Sequence, residues 1–143
     1  ERLISKSIKH FCRPQVYPNF LRNLVQTRSN KKIGRIGCTD SSDGLFQAVQ
    51  DLAIASNCKA IINYEKIPKD KDWPRGDKWD EYYFFGGEDY ELVFSLPKKW
   101  AINLCKLDKN IHEIGYFTKG KPSIEFKNNK NNKLLKNTPF KHF

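Results

Sequence analysis

Hydrophobic positions recur along this chain at two periods, one helical and one extended, and each change of period marks an element. Within residues 1–12, Leu3, Ile4, Ile8 and Phe11 fall at helical spacing, and Pro14 closes the pattern. Past Pro18 the stripe resumes with Phe20, Leu21, Leu24 and Val25 and runs to Ser29 and Asn30. The segment KKIGRIGC then predicts a short strand carrying Ile33 and Ile36, loosened by its glycines. The clearest helix comes next, because Leu45, Ala48, Val49, Leu52 and Ala55 keep helical spacing and Asn57 supplies a stop.

Beyond that helix, KAIINY predicts a strand and the polar run KDKDWPRGD a loop, with a helix over residues 78–85. GGEDYELVFSLP opens on two glycines and resolves into alternation: Tyr90, Leu92, Phe94 and Leu96 share one face, and Pro97 ends it. Residues 98–107 read as a helix, and IHEIGYF and PSIEF as short strands on either side of a turn at 119–122. Helices interleaved with strands predict an α/β (α+β) fold, a layered mixed sheet with helices, in a single domain over residues 1–143. Residues 127–143 read as a loop-like tail, yet the tail finishes on TPFKHF, whose aromatics predict a docked end.

Composition changes this picture in three ways. At 143 residues and 38% hydrophobic, the chain can bury one core, and whole-chain disorder is excluded. No segment approaches the ~18 continuous apolar residues of a membrane span, nor is there a signal-peptide pattern, so a soluble cytoplasmic protein is expected. A chain starting at Glu1 and lacking Met altogether predicts a piece of a larger protein. Cys12, Cys38, Cys58 and Cys105 lie far apart without zinc spacing and are expected to be reduced, mostly buried thiols. The net charge of +10 invites a nucleic-acid partner, but the basic residues are scattered. Their densest run, residues 127–137, reads as solvated Lys/Asn surface, and no nucleic-acid-binding signature accompanies it.

The candidate chemistry lies in two acidic clusters. Asp40, Ser41, Ser42 and Asp43 sit between a strand and a helix, the junction at which open α/β sheets bind ligands. Capping and helix-dipole compensation account for one or two of the four; a divalent cation such as Mg²⁺ would account for the rest, since hard oxygen ligands suit it and its charge offsets carboxylate repulsion. An EF-hand is excluded, because Leu45 falls where that loop needs Gly and Asp51 where it needs Glu. In the second cluster, Gly86 and Gly87 permit close backbone approach while Glu88 and Asp89 offer acceptors; a tight acidic turn before a strand is the alternative.

Taken in order, DSSDGL at 40–45, GGEDYEL at 86–92 and the terminal FKHF at 140–143 resemble the carboxyl-terminal domain of thiamine-monophosphate kinases. These belong to the wider superfamily of aminoimidazole ribonucleotide synthetase, which includes selenophosphate synthetase and a hydrogenase maturation factor. The resemblance covers essentially the whole chain, and GGEDYEL with the terminal aromatic favours the thiamine branch. It implies that Asp40 and Asp43 bind Mg²⁺, that Ser42 contacts ATP, that Glu88 contacts thiamine monophosphate and that Phe140 lies against its rings. It further implies a missing amino-terminal domain that carries most of the metal-binding aspartates and forms a homodimer, and hence an isolated fragment without activity. No covalent nucleophile is needed for direct phosphoryl transfer between the two substrates. Ser41 departs from the aliphatic residue usual at its position, which predicts looser packing there, and Pro139 stands where Gly commonly precedes the aromatic.

The other polar and aromatic residues read as structural. His10 and His112 are expected at the surface or core edge, His142 as a tie for the tail, and Trp73, Trp79 and Trp100 as isolated packing aromatics. Two rival functions share the sequence: another ATP-using member of the same superfamily with a different acceptor, and a basic nucleic-acid-binding module.

Overall fold

A computed structural model describes residues 2–13, 17–28, 35–128 and 135. Its elements in chain order are α1 (Arg2–Cys12), α2 (Asn19–Gln26), β1 (Gly37–Asp40), α3 (Leu45–Ser56) and β2 (Cys58–Ile62). After a 3₁₀ turn at Tyr64–Lys66 come α4 (Asp77–Phe85), β3 (Leu92–Ser95), α5 (Lys98–Leu107), β4 (Gly115–Lys119) and β5 (Ser123–Phe126).

Among the described residues the strands form two small sheets. β1 and β3 pair antiparallel, while β2 is the middle strand of a mixed sheet, antiparallel to β4 and parallel to β5. Helix α3 contacts strands of both sheets, which makes it the spine of the domain. It buries Ala48, Val49, Leu52 and Ala53 and stops at Asn57, whose left-handed backbone (φ +48°) lets its N–H reach the carbonyls of Ala53 and Ile54. Small residues suit this face: Ala53, fully buried, brings the helix backbone close to Ala60 and Ile62 of β2. The same core takes Phe84 of α4 and Phe126 of β5, whose rings lie 5.1 Å apart. Burying a side chain of that size contributes roughly 1.5–3 kcal/mol. Leu135, from the tail, also packs against this cluster.

A second, smaller core joins α2 to α5. Leu24, Trp100 and Leu104 are buried together, Phe20 and Phe94 pack at 4.7 Å, and the Trp100 indole N–H donates to the Leu24 carbonyl at 2.8 Å. The helical stripe of α2 is therefore only partly used, since Leu21 and Val25 are exposed, as are Ile4 and Ile8 of α1.

Several expectations change in detail. The first described strand is Gly37–Asp40; Ile36 precedes it and Ile33 lies outside the described residues. The pairing of this strand with β3 runs from Gly37 opposite Ser95 to Asp40 opposite Leu92. In the later segment the strand begins at Leu92 and its burial does not alternate, Leu92 being exposed and Val93, Phe94 and Ser95 half-buried; Tyr90 has φ +52° and is not part of a strand. The cysteines are free but not mostly buried, with Cys12 and Cys38 exposed and Cys58 and Cys105 half-buried. Nor are two of the tryptophans isolated. Trp73 stands edge-on to Trp79 at 6.1 Å and against Tyr83 at 5.4 Å, because the loop carrying Trp73 folds back along α4. His112 is exposed, as expected, while His142 lies outside the described residues. Among the described residues, no helix is long and apolar enough to cross a membrane.

Candidate functional site

The pairing of β1 with β3 positions the site. Asp40, the last residue of β1, is in register with Leu92, the first of β3. The residues after Asp40 must therefore run beside those before Leu92, and the two acidic clusters, far apart in sequence, become neighbours. Ser41 and Glu91 continue the ladder: the Ser41 N–H donates to the Glu91 carbonyl at 2.9 Å, and the Glu91 N–H donates to Ser41 Oγ at 3.1 Å. One step further, the Glu88 N–H donates to the Ser42 carbonyl at 2.8 Å.

Glycine makes this approach possible. A Cβ on Gly87 would lie 2.3 Å from the Ser42 carbonyl oxygen, and one on Gly44 would lie 2.7 Å from that of Phe85. Gly44 also has φ +93°, a left-handed region that side chains disfavour. Backbone of each loop thus lies where a side chain of the other would have to be.

Within the first turn, Asp40 Oδ1 accepts from the Ser42 amide at 3.1 Å and from its hydroxyl at 2.7 Å. Those bonds hold the Asp40 carboxyl below its usual range, the hydroxyl contributing most. Asp40 and Asp43 are both exposed. The N-cap of α3 is Gly44, which makes no side-chain cap bond, and Asp40 and Asp43 precede it rather than lying in the helix's first turn. The bonds of Asp40 to Ser42 are local to the turn rather than to the helix.

In the second loop, Glu88 and Tyr90 both adopt left-handed backbone, at φ +69° and +52°. The Tyr90 hydroxyl donates to Glu88 Oε2 at 2.6 Å. Its phenol is pushed up, first by that bond and then by the charge of Glu88, with Asp40 and Asp43 adding to it. Tyr83 on α4 is pushed up to about 12, by burial first and then by the charge of Asp89.

The structure thus brings Asp40, Ser42, Asp43 and Glu88 to one exposed ridge, whereas Phe140 lies outside the described residues. Sequence reasoning missed two participants. Ser41 is only 4% exposed and, instead of loosening the packing, ties the loops through its hydroxyl. Tyr90 reads as a strand residue by alternation, and nothing in the periodicity signals its turn conformation. Among the described residues no group of three or more His, Cys, Asp or Glu side chains is arranged to hold a metal. Two carboxylates and a hydroxyl still suit a shared Mg²⁺ site, because that ion keeps several waters and phosphate oxygens and binds through one or two carboxylates.

The family described as AIR synthase related protein, C-terminal domain, matches residues 23–127. Thiamine-monophosphate kinase of Prochlorococcus marinus is 34% identical over 137 residues, covering 96% of this chain and 41% of that protein. The Nitrosopumilus maritimus thiamine-monophosphate kinase is 37% identical over 108 residues, covering 73% of this chain and 34% of that protein. Among solved structures, thiamine-monophosphate kinase from Stenotrophomonas maltophilia K279a aligns with a TM-score of 0.57 at 23% identity, over 64% of this chain and 31% of the other. That likeness concerns the fold. The chain spans well under half the length of these relatives.

Proposed function

The chain belongs to the AIR synthase related protein family, as its carboxyl-terminal domain, and on that premise we propose that it forms the carboxyl-terminal half of a thiamine-monophosphate kinase. The proposed reaction transfers the terminal phosphoryl group of ATP to thiamine monophosphate, giving thiamine diphosphate. The observation that carries this reading is the 2.8 Å bond from the Glu88 amide to the Ser42 carbonyl, which joins the acidic turn after β1 to the glycine-led acidic loop before β3.

Each residue then has a physical role. Asp40 and Asp43 would hold Mg²⁺ jointly with phosphate oxygens, and Mg²⁺ there would offset the charge of the phosphates brought together. The low proton affinity of Asp40 keeps it anionic at working pH, as such a ligand must be. Ser42 stands in the turn that leads into the amino end of α3, and a hydroxyl beside a helix amino terminus favours a phosphate of ATP. Glu88 offers a carboxylate to the amino group of the pyrimidine, and Phe140 an aromatic face to the cationic thiazolium. Direct transfer needs positioning and charge compensation, and these residues supply parts of both. The remaining acids and the dimer contacts would belong to an amino-terminal domain, so residues 1–143 alone should not turn over. The carrying protein would act in the cytoplasm.

The test is to assay the full-length protein carrying this domain for thiamine diphosphate formation from ATP and thiamine monophosphate. ATP consumption with no thiamine diphosphate, or with another acceptor, would reject the assignment.

A further inference from the structure

Resting on that proposed function, we propose that Tyr90 is a positioning residue that fixes the Glu88 carboxylate for recognition of the substrate's amino group. Four features of the loop support it. The Tyr90 hydroxyl donates to Glu88 Oε2 at 2.6 Å, a short, charge-assisted bond. It engages one carboxylate oxygen and leaves Oε1 available to a donor on a ligand. Both residues are exposed, so without that bond Glu88 would sample several rotamers in water. Neither side chain is held by core packing.

The backbone around the pair is held from both sides. Left-handed φ is rare for a bulky residue such as Tyr90 and persists where neighbours impose it. Here the Glu88 N–H is fixed by the Ser42 carbonyl, and the Glu91 N–H by Ser41 Oγ. These two anchors bracket Tyr90 and turn its ring back toward Glu88. The anchors come from the turn that carries Asp40 and Ser42, so the Glu88 carboxylate is set relative to the proposed nucleotide turn as well. A carboxylate held this way presents one oxygen in a defined direction, and pre-organisation of that kind raises affinity by lowering the ordering cost.

The experiment compares Tyr90→Phe, Tyr90→Asn, Glu88→Gln and the double variant Glu88→Gln/Tyr90→Phe in the full-length protein, with each substrate varied in turn. Tyr90→Phe should raise KM for thiamine monophosphate about fivefold and leave KM for ATP within about twofold, the loss expected for one hydrogen bond to a charged group. Tyr90→Asn, which tolerates left-handed backbone but lacks the phenol, should show the same split. In the Glu88→Gln background, Tyr90→Phe should add nothing, since its effect passes through Glu88. Unchanged kinetics in Tyr90→Phe would overturn the proposal, as would an equal rise in both KM values, full activity in Tyr90→Asn, or additivity with Glu88→Gln. A parent protein that makes no thiamine diphosphate overturns the functional reading first, and this inference with it.

Discussion

The Glu88 amide donates to the Ser42 carbonyl across 2.8 Å, and that contact ties the turn after β1 to the loop before β3. It forms because β1 and β3 pair with Asp40 opposite Leu92, and because the residue preceding Glu88 has no side chain. Gly87→Ala would place a methyl 2.3 Å from the Ser42 oxygen, a clash with backbone that no rotamer relieves. The variant should lose about 1–3 kcal/mol of stability, read from urea unfolding, since the loops must part to admit the methyl. An unfolding midpoint equal to the parent's would show that the two loops are not in contact.

Ser41→Ala removes the buried acceptor of the Glu91 amide while keeping the backbone bond in the opposite direction. A loss of ~0.5–1.5 kcal/mol is expected, measured by thermal unfolding. Were Ser41→Val, closer to the aliphatic residue of the resembled family, as stable as the parent, the hydroxyl would not be the tie described.

Much of this architecture is legible from local pattern. Helix α3 announces itself by apolar positions at helical spacing and a stop at Asn57, although Ala55 of that stripe is exposed and Ala53 is buried instead, and α5 (Lys98–Leu107) is marked by Pro97 before it and the Trp100–Leu104 pair within it. Partnership is what local pattern does not carry. Whether Ile36 or Cys38 lies in a strand depends on where β3 can pair, and the helical stripes of α1 and α2 say nothing of whether a neighbour covers them. The site splits the same way. Asp40, Ser42, Asp43 and Glu88 stand out by composition and motif, whereas Ser41 and Tyr90 matter through hydrogen bonds that their local pattern does not announce. Phe140 is legible only through the terminal motif.

Trp100 links the second core to α2 through one buried indole N–H. Trp100→Phe should cost ~1–3 kcal/mol, combining lost ring volume with loss of the indole bond to the Leu24 carbonyl, which keeps the Thr27 hydroxyl as a donor at 3.2 Å. Because α2 meets the body mainly through this cluster, its amides should exchange faster than those of α3 in the variant. Uniform acceleration across both helices would argue against a separate α2–α5 unit.

Lys69 Nζ lies 2.8 Å from Asp80 Oδ1, 2.7 Å from the Tyr64 hydroxyl and 4.1 Å from the centre of the Tyr64 ring. Partial burial would raise the Asp80 carboxyl, but hydrogen bonds from Lys69 and Tyr64 and the Lys69 charge outweigh it and hold the group below its ordinary value. A depressed carboxyl contributes stability that is present above its unfolded pKa and lost as pH falls through the lower folded value. Lys69→Met should therefore be less stable than the parent at pH ~7 by ~1 kcal/mol or less, since the pair is partly solvated. That gap should narrow as pH drops below ~4. A gap that widens on acidification would mean the pair does not hold Asp80 ionised.

The most direct test of the account is the rate of thiamine diphosphate formation by the full-length protein with Asp40 replaced by Asn. Asn keeps the size of the side chain and an oxygen able to accept from the Ser42 amide and hydroxyl, so the turn should persist and the melting temperature stay close to the parent's. Losing the charge that Mg²⁺ and phosphate require should lower the rate by about 10²-fold or more. A variant that keeps the parental rate while melting several degrees lower would contradict the account, because Asp40 would then serve the fold and not the chemistry.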